Sequence, residues 1–135
     1  TVFISVCDRD KRHILPIART IQRLGFRIVS TEGTARTLRG GNVRCEVVRK
    51  ISEPHPNVGD MISNGEIALI VNTPYGSETR GDGYFMRTEA VKHGVTCVTA
   101  LSGASAFTAA LEALDENPYG LPVIALQDLP QYEVK

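Results

Sequence analysis

The chain has little of what a disulfide scaffold or a metal protein needs. Its 135 residues include three cysteines, Cys7, Cys45 and Cys97, an odd number with no C-x-x-C pair. They read as free, buried thiols of a reducing cytoplasmic compartment, not as a disulfide framework. His13, His55 and His93 lie far apart with no metal-ligand spacing, which argues against a zinc site. No apolar run is long enough to span a membrane, and no charged, apolar, small-residue leader opens the chain. Net charge is zero and the pI about 6.8, which argues against general nucleic-acid binding. Catalytic signatures are also missing. "GTARTLRGG" lacks the Lys-Ser/Thr ending of a Walker A loop, and "SGASA" over 102–106 is not a G-x-S-x-G elbow. Asp8 and Asp10 could serve as general acids, but aspartate at a strand end before a helix is usually a cap.

What is present fits one globular domain over residues 1–135, with a core over about 2–126 and a tail over 127–135. Hydrophobic residues make up 42% and charged residues 22%. No repeat, low-complexity tract or linker divides the chain. Thr1 already lies inside the apolar run "TVFISV", as expected of a fragment of something longer. Charge is distributed unevenly. Residues 1–50 hold eleven Lys/Arg against four Asp/Glu, a surplus of seven, and residues 51–135 hold the mirror image. Arg36, Arg39, Arg44, Arg49 and Lys50 crowd one short window, as a solvated face or a local cationic one.

Apolar strands alternate with helical patterns. Strands are expected at 2–7, 26–30, 45–48, 66–72, 95–100 and 121–126. Helices are expected from near Arg12 or His13 to Leu24, from Thr31 or Glu32 to about Arg39, over Val58–Asn64, over Tyr84–His93, and from a Ser102 cap to about Leu114. A helix starting at Asp10 would conflict with Pro16. Residues 73–83, "TPYGSETRGDG", read as a long polar loop of functional length. Continuous apolar strands are covered on both faces, so the pattern predicts an α/β, Rossmann-like three-layer domain with a parallel sheet of about five strands.

Ligands of such sheets bind outside the carboxyl ends of the strands. Those ends supply Cys7-Asp8-Arg9, "STEGT" over 30–34, Arg49-Lys50, Asn72-Thr73-Pro74 and Thr99-Ala100. Hydroxyls, cations and a helix amino end after Thr31, itself a candidate cap with Thr34, suit a phosphate or carboxylate. They supply no nucleophile with a base.

The set "SVCDRDK", "STEGTA", "VRKISE", "ISNGEIALIVNTP" and "VTALSG", in that order and spacing, resembles the carboxyl-terminal regulatory domain of the carbamoyl-phosphate synthase large chain, a methylglyoxal-synthase-like fold. The resemblance runs from about Val2 to Leu126. It implies an effector site for a nucleoside monophosphate, UMP or IMP. Lys11, Thr31, Thr34 and Lys50 then match the phosphate positions, and Asn72 and Asp82 the ribose and base positions. Thr99 matches an ornithine-linked position. This chain departs from the bacterial pattern at Pro74, where a second threonine is usual, and at Cys97, where an aromatic is usual. The parent chain would make carbamoyl phosphate for pyrimidine and arginine synthesis, with ATP, Mg or Mn, synthetase domains and a glutaminase small chain. The domain itself would hold no cofactor, metal, nucleic acid or membrane. Urea-cycle relatives bind N-acetylglutamate instead. The rival within the fold is methylglyoxal synthase, a phosphate lyase on dihydroxyacetone phosphate. Aligned through "VGDMISNGE", its catalytic aspartate falls on His55 and its histidine near Arg80, so the carboxylate base is missing.

Overall fold

A computed structural model describes residues 1–73, 80–120 and 122–129, with only the backbone of Arg80. Five strands form one sheet: β1 (Val2–Val6), β2 (Ile28–Ser30), β3 (Glu46–Val47), β4 (Leu69–Thr73) and β5 (Thr96–Val98). Their order is β3-β2-β1-β4-β5 and every pairing is parallel. The helices are α1 (Ile14–Arg23), α2 (Glu32–Gly40), α3 (Val58–Ser63), α4 (Arg80–Lys92) and α5 (Leu101–Glu116).

β1 sits at the centre because its residues are apolar on both faces. Val2, Ile4 and Val6 pack with Ile14, Ile17, Ala18 and Ile21 of α1, Leu38 of α2 and Ala104 of α5. Phe3 turns the other way, with Val29, Ile70, Val58 and Ile62 of α3, and Met86 and Ala90 of α4. The period-2 alternation of one strand thus builds both core layers. Register brings Ser5 beside Asn72 and Ile4 between Ser30 and Val71. The polar carboxyl ends of β1, β2 and β4 are therefore held together by the most buried part of the molecule.

α1 starts after a 3-10 turn over Asp8–Asp10, with His13 at its N-cap. Pro16 is its third residue, where the missing N–H costs no helical bond. Neither Asp8 nor Asp10 caps α1, whose N-cap makes no side-chain bond. Gly41 closes α2 against α1, and a Cβ there would collide with the Leu15 side chain.

Several expectations are corrected. The strand expected over 121–126 is absent over its described residues, 122–126. Residues 122–125 pair with nothing in the sheet, Leu126–Asp128 form a 3-10 turn, and Val123 is 95% exposed. Apolar content mimics a strand, but no sheet edge receives this one. Ser102 does not cap α5, because the helix begins one residue earlier on an extended Ala100. α4 starts at Arg80, not Tyr84, so Asp82 lies in its first turn and not in a loop. Gly81 and Gly83 fall in the expected polar loop, yet they lie in α4, and Gly83 lets that helix approach the sheet. A Cβ there would lie 3.4 Å from Asn72 Oδ1 and 3.1 Å from Arg87 Nη1. The rest of the expected loop, with Pro74, lies outside the described residues. Each strand falls one to three residues short of its apolar run, at one end for β1, β2 and β4 and at both ends for β3 and β5, while β4 runs one residue further at its carboxyl end. The three cysteines are free but half-buried, and burial pushes the thiols of Cys45 and Cys97 up from their ordinary value.

Candidate functional site

A cleft of about 970 Å³ opens at the carboxyl ends of β1, β2 and β4. It gathers six separated residues singled out in the sequence: Lys11, Thr31, Thr34, Lys50, Asn72 and Asp82. Thr99 is exposed at the end of β5 and does not line it.

Thr31 is the N-cap of α2 by position, with extended backbone, but its hydroxyl caps nothing. Instead Thr31 Oγ1 lies 3.2 Å from Ser5 Oγ. Thr34 is buried in the first turn of α2, where its Oγ1 accepts the Val6 N–H at 3.2 Å. Both expected threonine caps are thus corrected, since the two hydroxyls fasten α2 to the end of β1. A consequence follows for charge. Among the described residues no side chain caps the first N–H groups of α2, and Thr31, Gly33 and Thr34 line the cleft, so the positive end of the helix is open to it. Lys11 adds to it, with its ammonium 3.5 Å from the place a Cβ on Gly33 would take. Two positive features side by side in a concave site favour an anion between or over them.

The Lys11 ammonium meets Asp8 Oδ1 at 2.5 Å. Its hydrogen bond and then its charge hold the Asp8 carboxyl below the usual carboxylate value. Asp10 points elsewhere and accepts from Cys7 Sγ at 3.1 Å, the first cause of its own lowered pKa. Lys50 follows β3 and is exposed. Its backbone N–H donates to Glu53, while its ammonium forms no ion pair among the described residues.

Asn72 is buried at the opposite wall. Its Nδ2 donates to the Ser5 carbonyl at 3.2 Å, which fixes the amide orientation and aims Oδ1 the other way. Oδ1 is buried and has no hydrogen-bond partner among the described residues. A buried acceptor left unpaired is costly, and a donor that reached it would relieve that cost.

Sequence reading named Cys7, Arg9 and Thr73 only as strand ends, weighed Asp8 also as a general acid or cap, and missed Ser5, Gly83 and Met86, all of which line the cleft. The alternation of β1 could have found Ser5, since it shares the face of Phe3. Thr73 Oγ1 accepts the Cys7 N–H at 3.2 Å, a bond between residues 66 apart that only the register reveals.

The family model for the MGS-like domain matches residues 13–99. The chain belongs to the MGS-like domain family. Over 96% of its length it is 49% identical to the carbamoyl phosphate synthase large chain, C-terminal section, of Methanopyrus kandleri. It is 42% identical over 95% of its length to the corresponding section from Methanocaldococcus jannaschii, and equally to the carbamoyl phosphate synthase large chain of Synechocystis. The chain spans 24%, 21% and 12% of these proteins, a quarter or less of each. Among solved structures it is similar to methylglyoxal synthase from Elizabethkingia anophelis, with a TM-score of 0.62 and 14% identity over 79% of this chain and 75% of that one. It is also similar to ForH, with a TM-score of 0.61 and 22% identity over 90% and 84%. These two likenesses establish the fold.

In this MGS-like domain His55 stands outside the cleft lining, 79% exposed, with Nδ1 2.8 Å from both carboxylate oxygens of Asp60. Asp60 is already committed, since it accepts the Asn57 N–H at 2.7 Å in the capping box of α3. That backbone bond, then His55, lowers its pKa. Another cleft of the domain, about 860 Å³, lies at the amino end of β2. Two of its three arginines are occupied: Arg27 holds Glu46 through two nitrogens, and Arg39 donates twice to the Cys45 carbonyl. Arg49 holds the Pro54 and His55 carbonyls. For these arginines the structural reading suffices. No helix among the described residues is long and apolar enough to cross a membrane.

Proposed function

We propose that this MGS-like domain is a regulatory module of a carbamoyl phosphate synthase large chain and that it binds a nucleoside monophosphate, UMP or IMP, in the cleft above β1, β2 and β4. The observation that carries this reading is the pairing of two unmet demands across one cleft. On one wall the open amino end of α2 and the Lys50 ammonium call for an anion, with Lys11, paired to Asp8, beside them. On the other a buried carbonyl oxygen of Asn72 calls for a donor. A phosphate with a hydroxylated sugar answers both.

Lys11, Thr31, Thr34 and Lys50 hold the phosphate through charge-assisted and hydroxyl hydrogen bonds. Asn72 Oδ1 accepts from a ribose hydroxyl, and Asp82 faces the base. Thr99, exposed and apart from the cleft, stays with the ornithine-linked role and takes no part in nucleotide binding. Regulation then follows only if the two states of the attached synthetase bind the nucleotide unequally. That synthetase, with its ATP, its Mg or Mn and its glutaminase small chain, performs carbamoyl phosphate synthesis for the pyrimidine and arginine pathways in the cytoplasm. This domain contributes no catalytic residue to it. The absence of a carboxylate base at His55 argues equally against elimination of phosphate from dihydroxyacetone phosphate.

Calorimetric titration with UMP, IMP and N-acetylglutamate tests the reading. Saturable binding of one of the nucleotides supports it. No heat from either nucleotide at millimolar concentration defeats it, and binding of N-acetylglutamate alone moves the ligand class to a carboxylate.

A further inference from the structure

The least exposed cation of the cleft is not vacant. Lys11 Nζ sits over the first turn of α2, where an anion would gain most, yet it is held at 2.5 Å by Asp8 Oδ1. The two partners differ sharply in setting. Lys11 is mostly covered, with 26% of its side chain exposed, whereas Asp8 is 93% exposed on the 3-10 turn after β1. Among the described residues the Asp8 carboxylate has no partner besides Lys11. Asp10, two residues on, is the carboxylate tied into the structure, through Cys7 Sγ and Arg9. Asp8 lines the cleft with Lys11, Thr31 and Gly33.

We infer that Asp8 is a built-in competitor for the anion site: its carboxylate occupies Lys11 in the free protein and must yield it, wholly or in part, to an incoming phosphate. Asp8 thereby sets affinity without supplying a ligand contact. The inference rests on the anion reading above and adds to it a residue that opposes binding. An exposed ion pair is weak, so the opposition is modest and reversible. It lowers the affinity for any anion that relies on Lys11. A free phosphate, with no second anchor, must bear that cost on the phosphate groups alone. A nucleotide can offset it at Asn72.

The test is a titration of wild type, Asp8→Asn and Asp8→Glu with UMP and with inorganic phosphate as separate probes. Asp8 is exposed and off the core, and thermal melts of the three proteins check that each is folded. Asp8→Asn is expected to tighten both ligands by about two- to fivefold, the range of one exposed ion pair, while Asp8→Glu stays near wild type. If wild type binds UMP and Asp8→Asn binds no tighter, or more weakly, Asp8 positions Lys11 instead of competing for it, and the inference is overturned while the nucleotide reading stands. If none of the three proteins binds either probe, the anion reading falls and takes this inference with it.

Discussion

The two flanks of the sheet are built differently. Around β1, β2 and β4 the strands are covered on both faces, and Val2, Phe3, Ile4 and Ile70 are fully buried. On the β5 side, the sixteen residues of α5 bury only Ala104 and Thr108. Val123, Ile124, Leu126 and Leu129 lie exposed beyond it. The polar cleft belongs wholly to the first flank. Each wall of it is pinned by a bond into the sheet: Thr34 to Val6, Thr31 to Ser5, Asn72 to Ser5. The contrast teaches where precision comes from. Polar groups keep fixed positions here because a dense apolar layer lies directly beneath them.

The contrast can be broken by mutation. Ile70→Ala removes a fully buried side chain next to Phe3 and is expected to cost about 2–5 kcal/mol in urea unfolding. A loss below 1 kcal/mol would mean that the β1–β4 flank is loosely packed after all. Lys50→Ala leaves the fold alone, since its side chain is exposed, and weakens nucleotide binding by about 1–3 kcal/mol in calorimetry. Unchanged affinity would move the phosphate away from this edge of the cleft.

Asn57→Ala removes the side chain that accepts the Gly59 N–H at the start of α3 and is expected to cost about 0.5–2 kcal/mol, read from the melting temperature. Asp60 completes the same cap, and its folded pKa is depressed. Its contribution is therefore present above the ordinary carboxylate value, about 4, and is lost as pH falls through the lower folded value. Acid unfolding of Asp60→Asn should show a flatter limb than wild type. A parallel limb would show that the cap is silent. The smallest effect belongs to the exposed flank. Leu126→Ser is expected to stay within about 0.5 kcal/mol of wild type by urea unfolding.

Much of this was legible because strand composition and site chemistry use different residues. Unbroken runs such as "EIALIVN" announce strands covered on both sides, and hydroxyls and lysines at their ends announce a polar rim. Where the reading failed, two local signals were ambiguous. "LPVIAL" has the composition of a strand, yet its described residues pair with neither edge strand. Gly81 and Gly83 suit the expected polar loop, although they lie in α4 and Gly83 serves its close approach to Asn72. The roles of Thr31 and Thr34 were misjudged for another reason. A threonine at a helix start can cap its own helix or reach a neighbouring strand. The choice depends on Ser5 and Val6, some 26 and 28 residues earlier. The Asn72 amide could not be oriented from sequence at all, because its anchor, the Ser5 carbonyl, is 67 residues away.

The placement of β1 also has a consequence in time. Its first neighbour, β2, ends at Ser30, but its second, β4, ends only at Thr73. During synthesis one edge of the most apolar strand must wait, unpaired, while more than forty further residues are made. Until then α1 and α2 can settle on the early strands, yet Ser5 has no Asn72 and the cleft has a single wall. A chain halted anywhere between Ser30 and Thr73 would present an open apolar edge, the kind that recruits other strands and aggregates.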